Sequence, residues 1–231
     1  LAQPAAKRPK TRSPEEQTIR EELAAVYRIF GTLGMDDLIY THISARVPGP
    51  EHHFLINPFG LMYEEVTASN LVKIDLEGNI VEDSGYPINY AGFIIHGAIH
   101  EMAPNAHCVI HLHTDSGVAV SCQREGLLDA SQFAMFLPGG IAYHDYEGLA
   151  LDEDEKPRLI SDLGNRKAMI LRNHGTLTVG ETVAEAFFHM YNLERACRVQ
   201  VLAQAGGQAE VLRIPSAIVD KTRSQKPVGT R

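Results

Sequence analysis

Cysteine is scarce in this chain, and its three copies are scattered. Cys108, Cys122 and Cys197 show no Cys-x-x-Cys spacing, which argues against a thiolate zinc site and for free thiols in a reducing compartment. The cytoplasm is the expected location. Long apolar runs are missing too: no stretch approaches the roughly 20 residues of a membrane helix. Leu1 to Pro14 is rich in Pro, Lys and Arg, without the hydrophobic segment of a signal peptide. Positive charge is in deficit. A formal net charge of −8 disfavours nonspecific attraction to nucleic acid or an anionic membrane, so neither is an expected partner. Neither Gly-x-Gly-x-x-Gly nor Gly-x-x-x-x-Gly-Lys occurs, and Gly139-Gly140 after Leu137-Pro138 reads as a turn, so no nucleotide cradle is expected. There is no internal repeat.

What is present is ample for one large domain. Of 231 residues, 44% are hydrophobic and 22% charged, an ordinary balance for a globular core. A disordered tail is expected over 1–13, a domain over 14–207 and a C-terminal tail over 208–231, with the polar stretch from about 216 disordered. Ser13-Pro14-Glu15-Glu16 is a helix start, with Ser13 as cap, Pro14 in the first turn and Glu16 closing a capping box. That helix runs to about Leu33, with Leu23, Val26, Tyr27 and Phe30 on its apolar face, and Gly34 ends it. Strands are expected at Ile39-Tyr40, 43–47, 54–56, 72–76 and 79–81, the last two joined by a turn at Glu77-Gly78. A helix follows over 89–102, then a strand ending at His111, a short helix from Ser116 capped by Thr114 or Asp115, a strand over 141–146 and a charged helix over 152–163. Strands at 168–171 and 177–179 and a helix over 183–205 complete the pattern. Central strands with helices before, between and after them imply an α/β domain layered helix–sheet–helix.

The chemistry concentrates in histidine. His111 and His113 follow the apolar run Cys108-Val109-Ile110, and His174 follows Ala168-Met169-Ile170-Leu171 within Asn173-His174-Gly175. Residues i and i+2 of a strand share a face, so His111 and His113 aim at one point. A third imidazole from a second strand end completes a face of three nitrogens. Three protein ligands with an open position is the layout of a catalytic metal site. Paired histidines also serve packing and hydrogen bonding in half-buried strands. Gly175 allows a tight bend after His174, and Asn173 suits the turn. With imidazole as the only donor type, zinc, iron, cobalt, nickel and manganese all stay open.

Several motifs in order resemble the class II aldolase/adducin family, most closely its adducin-head branch: Leu38-Ile39-Tyr40-x-His42-Ile43, Ile56-x-Pro58-Phe59-Gly60-Leu61-x-Tyr63-x-Glu65-Val66-Thr67-Ala68-Ser69, Ala91-Gly92-Phe93, Ala142-Tyr143-His144-Asp145-Tyr146-x-Gly148 and Leu171-Arg172-Asn173-His174-Gly175. They cover roughly residues 17–205. The resemblance implies a three-layer αβα fold around a mostly antiparallel sheet. It implies a homo-oligomer, a cyclic tetramer with sites at subunit interfaces, and a divalent metal held by His111, His113 and His174. Zinc is the first expectation, with iron(II), manganese or cobalt open. It also implies a small-molecule substrate polarised by the metal, with Ser44 and Arg46 aligned to substrate-anchoring positions. The family's asparagine in that region is His42 here. Its acid/base glutamate lies one turn before the residue matched by His96, and that position is Gly92.

Three functions compete. The first is a metal-dependent carbon–carbon lyase, an aldolase or decarboxylase on a small oxygenated substrate, phosphorylated or not, with His96 or Tyr143 as candidate proton-handling groups. The second is an adducin-like interaction module whose catalysis has lapsed. The third is a non-haem iron oxygenase on the same histidines, although such enzymes more often use two histidines and a carboxylate.

Overall fold

The computed structural model describes residues 12–103, 105–148, 153–206 and 211–225. One eight-stranded sheet organises them: β1 (His42–Arg46), β2 (Phe54–Ile56), β3 (Val72–Ile74), β4 (Ile80–Glu82), β5 (Cys108–Leu112), β6 (Ile141–His144), β7 (Ala168–Leu171) and β8 (Gly175–Gly180). Their order is β4-β3-β2-β1-β5-β8-β7-β6. Only β6 and β7 pair in parallel, so the sheet is mostly antiparallel, as expected.

Helices cover both faces. On one lie α2 (Tyr90–Met102) and α5 (Lys156–Leu163): Ile95, Ile99, Leu159 and Leu163 pack on Val109, Met169, Leu171 and Leu177. On the other lie α1 (Pro14–Thr32), α3 (Asp115–Ser121) and α6 (Val183–Gln204). There Leu23, Tyr27 and Met190 meet Ile43, Ile110 and Leu112, and Val120, Leu193 and Cys197 meet Ala168 and Ile170. The central strands are therefore buried on both sides and read as continuous apolar runs. Each fully buried aliphatic side chain contributes about 1.5–3 kcal/mol by leaving water. His111 sits inside such a run, so its placement is set by packing rather than by solvent.

Local signals were followed closely in places. Ser13 Oγ accepts from the Glu16 amide at 3.1 Å, as a cap should, but the Glu16 carboxylate does not close the box: it pairs with Arg20 and Lys73 instead. Thr114, not Asp115, caps α3, its Oγ1 accepting from the Gly117 amide. Ile39-Tyr40 is a turn rather than a strand, entered through Leu38 at φ 49°. The charged helix begins as a 3-10 turn at Glu153–Glu155 before α5; residue 152 lies outside the described residues.

The expected C-terminal tail needs correction. A helix, α7 (Ser216–Ser224), forms beyond residue 207 and seats Val219 among Ala134, Met135 and Ala196, the first two from α4 (Gln132–Met135). Arg223 bonds Asp129 at 3.0 Å, and the Ile214 amide donates to the Asp129 carbonyl. One buried valine and two local anchors are too sparse a pattern to stand out in a polar sequence. Of the expected N-terminal tail, residues 1–11 lie outside the described residues, and Arg12 pairs with Glu82 at 2.7 Å.

Candidate metal centre

The three histidines come from adjacent strands. His111 is the fourth residue of β5, His113 leaves that strand, and His174 occupies the turn between β7 and β8. The turn is tight: the His174 amide donates to the Leu171 carbonyl at 3.1 Å, and Asn173 takes the left-handed conformation at φ 57°. Asn tolerates that region better than most residues. Gly175 has a different task from a bend. A Cβ there would stand 2.5 Å from the Leu112 carbonyl oxygen and 3.0 Å from His113 Cδ2. Its bare backbone lets β8 approach β5, which draws His174 to His113.

The Nε2 atoms converge. His113 Nε2 lies 2.9 Å from His111 Nε2 and 3.0 Å from His174 Nε2. The opposite ring edges determine what those atoms carry. His111 Nδ1 lies 3.0 Å from the Thr176 carbonyl oxygen, which only accepts, so Nδ1 bears the proton and Nε2 a lone pair. His113 Nδ1 lies 3.0 Å from Asp37 Oδ2, which orients that ring likewise. Burial first, and then the neighbouring His174 and His113, hold His111 well below the usual histidine range. Burial and His113 bring His174 down to about 4. Neutral imidazoles with facing lone pairs repel one another unless a cation sits between them. Asp37 beside His113 is the carboxylate–histidine arrangement that commonly supports a metal ligand. The donor set fits a divalent ion. Among the described residues, His111, His113 and His174 form the one cluster of this kind.

A shallow, solvent-open cleft adjoins His174, lined also by Ile95, His144, Tyr146, Glu155 and Arg172. The Tyr146 ring lies 6.5 Å from that of His174. His144 is clamped by Asp162 at 2.8 Å and Glu155 at 3.2 Å on its two ring nitrogens, so it forms a wall of the cleft.

The other candidates are placed less directly. His96 is fully buried on α2, its Nδ1 2.6 Å from Ser44 Oγ, which also meets His100 Nε2 at 2.7 Å. Ser44 is thus occupied between two histidines rather than turned to a substrate. Arg46 donates to the carbonyl of His100, at the end of β1 away from His111. Tyr143 lies on the opposite face of the sheet, packed with Val120, Leu137 and Ile170. Its hydroxyl accepts from the Leu127 amide at 3.0 Å, and the Arg172 guanidinium covers its ring. A proton-transfer role for Tyr143 at the histidines does not match this placement; Tyr146 is the tyrosine on their side. Asp37 and His42 were missed. Asp37 carries no periodic signal, and His42 becomes a neighbour of His111 only through the β1–β5 register.

Comparisons with known proteins agree with this architecture. The sequence profile of the Class II Aldolase and Adducin N-terminal domain matches residues 21–201. The crystal structure of an aldolase II superfamily protein from Pseudomonas syringae superposes with a TM-score of 0.89 at 50% identity, over 92% of this chain and 85% of that one. An L-fuculose 1-phosphate aldolase from Glaciozyma antarctica PI12 gives 0.82 at 33% identity, over 94% and 85%. Rat α-adducin is 48% identical over 90% of this chain, which spans only 29% of that longer protein. The chain belongs to the class II aldolase/adducin family.

Proposed function

We propose that this protein is a metal-dependent carbon–carbon lyase acting on a small oxygenated substrate. The observation that carries the reading is the convergence of three imidazole Nε2 atoms beside an open cleft, two of them with their protons directed to the far ring edge. His111, His113 and His174 would hold a divalent ion, zinc first, with Asp37 orienting His113. Such an ion supplies Lewis acidity toward a carbonyl or enediolate oxygen. The shallow cleft beside His174 marks the side from which a substrate would approach, with Tyr146 at its edge. The likeness to an L-fuculose 1-phosphate aldolase supports an aldol-type reaction. Ser44 and Arg46, however, bond within the protein, so an anchor for a phosphorylated substrate would have to come from other residues. The donor set is three imidazoles, with Asp37 on the outer side of His113, which favours lyase chemistry over the oxygen activation associated with two histidines and a carboxylate.

A second reading has one observation behind it. Position 92, at the first turn of α2, is glycine, and an adducin shares nearly half of its aligned residues with this chain. On that reading the domain serves assembly, and homo-oligomer formation is its function. No helix among the described residues is long and apolar enough to cross a membrane.

Elemental analysis of protein purified without chelator, beside His113→Ala, separates the two. About one equivalent of metal per chain, lost in the variant, together with retro-aldol or decarboxylation turnover on ketoses or their phosphates, is the expected result. Turnover that survives metal removal would sink the lyase reading. Folded protein that binds no metal would leave the assembly reading standing.

A further inference from the structure

We propose that His42 is a positioning residue for the metal face: its ring, seated on the bare backbone of Gly92 and held by Asn89, backs the His111 imidazole and sets its plane. The proposal rests on the reading of His111, His113 and His174 as metal ligands.

The steric argument comes first. His42 and His111 are direct partners across the β1–β5 ladder, so their side chains leave the sheet on one face as neighbours. Their rings are nearly parallel, 21° apart, with centroids 6.4 Å distant. On the helix side, a Cβ at Gly92 would lie 2.6 Å from His42 Nδ1 and 2.7 Å from Cγ and Cε1. Three ring atoms at that distance mean that any side chain at 92 collides with the ring itself. Gly92 has no positive φ to require glycine, and glycine inside a helix is unfavourable relative to alanine. Room for His42 accounts for it.

The hydrogen bonds supply the second argument, because each ring's proton can be placed. The Ala106 carbonyl accepts from His100 Nδ1 at 3.1 Å, leaving His100 Nε2 to accept from the Ser44 hydroxyl. Ser44 Oγ then accepts from His96 Nδ1. His96 Nε2 is left with a lone pair, buried and without a partner. From the other side, the Asn89 amide NH2 lies 3.0 Å from His42 Nε2 and donates to it, so the His42 proton is on Nδ1, also buried and without a partner. Donor and acceptor are complementary, on rings set edge to face with centroids 5.9 Å apart. Burial keeps both imidazoles neutral. An ordered column of polarity, Ala106 to His100 to Ser44 to His96, therefore ends against His42, and His42 ends against His111. Ser44, at the centre, is a link in this column.

The test uses Gly92→Ala, His42→Ala and the double variant in the full chain, read by thermal unfolding, by cobalt(II) titration through its visible absorption band, and by ¹⁵N spectra of the histidine rings. Gly92→Ala is expected to lower Tm, although this exchange ordinarily stabilises a helix, and to weaken cobalt(II) binding about tenfold or more with a changed band. His42→Ala is expected to weaken cobalt(II) binding to a similar degree. In the double variant the loss of every ring atom clears the new methyl, so Tm recovers from the Gly92→Ala value and the loss of affinity does not add. If Gly92→Ala fails to fold while the double variant folds, the steric pairing is upheld. The ¹⁵N spectra should show His42 and His96 both protonated at Nδ1. A Gly92→Ala protein with wild-type Tm and an unchanged cobalt(II) band, strictly additive losses, or His42 protonated at Nε2 would overturn the role of His42. Wild-type protein that binds no cobalt(II) would instead overturn the metal reading beneath it.

Discussion

Two polar clusters are buried against the same sheet, and they differ in whether their hydrogen bonds close. At the β3–β4 end, Arg20 is fully buried, yet it donates to Glu16 at 2.9 Å, to Glu82 at 3.3 Å and to the carbonyls of Ala68 and Leu71, while Lys73 takes the second Glu16 oxygen at 2.7 Å. Charge meets charge, and the cluster needs nothing from outside. At the β5–β8 end, three imidazoles turn their Nε2 atoms toward one another at about hydrogen-bond distance, with protons directed elsewhere in two of them. A cation between them would complete that cluster. A closed network ties α1 to the sheet edge; an open one is equipped to bind.

Breaking each cluster should therefore give different signatures. The largest effect belongs to the open one: His113→Ala should lose metal and turnover together while secondary structure persists, as read by elemental analysis, a lyase assay and circular dichroism. Next comes Arg20→Met, which takes the guanidinium from Glu16, Glu82 and the carbonyls of Ala68 and Leu71, leaving Glu16 with Lys73 and Glu82 with Arg12. Removing one partner of a buried ion pair costs about 3–5 kcal/mol, and the remaining Lys73 and Arg12 pairs place the expected loss near the lower end in urea unfolding, with metal content unchanged. Asp37→Asn should fold normally but bind metal about tenfold to a hundredfold more weakly, measured by competition with a chelating dye.

Acid should separate the closed cluster from the buried imidazole of His100, which bonds Ser44 beside the sheet. Burial first, and then the Arg46 charge, bring His100 down to about 3. Its folded pKa lies below its unfolded value of about 6.5, so the unfolded chain binds more protons in between. The stability tied to neutral His100 is then present above about pH 6.5 and lost as the pH falls toward 3. For Glu16, burial pushes the carboxyl up, but hydrogen bonds from Lys73 and Arg20 outweigh it and leave the pKa lowered. Its contribution holds until the pH drops below the ordinary glutamate range, then declines. Denaturation midpoints of apoprotein between pH 8 and pH 3 should fall in two stages, and Glu16→Gln should flatten the lower one only. The smallest effect is expected from Tyr143→Phe: loss of one hydrogen bond from the Leu127 amide, about 1 kcal/mol, with metal binding and turnover intact. Activity lost in that variant without loss of stability would return Tyr143 to the site.

How far the site was legible follows from the range of each signal. Ser13, Thr114 and Thr182 each cap a helix within three residues of themselves, and such local bonds are readable from composition and spacing. Period-two alternation put His111 and His113 on one face, and the turn sequence put His174 at a strand end. The assignments that shifted depend on distant partners. Ser44 and Arg46 looked like anchors until α2 covered them. Tyr143 and His144 are consecutive, and which of them faced the histidines was decided by the pairing of β6 with β7.

The residue order alone was enough to set the donor chemistry, the strand ends that carry it and the layered fold, because helix caps, turn residues and hydrophobic periodicity act over a few positions and need no knowledge of the rest of the chain. The tertiary structure added Asp37 behind His113, His42 beside His111 and the reason for glycine at 92. These contacts join residues 50 or more positions apart, and the one between His42 and Gly92 needs both a sheet register and the packing of α2 to bring its partners together. A one-residue slip in that register would turn His42 to the other face of the sheet, away from His111 and Gly92, and it is packing on both sides of the sheet that prevents the slip.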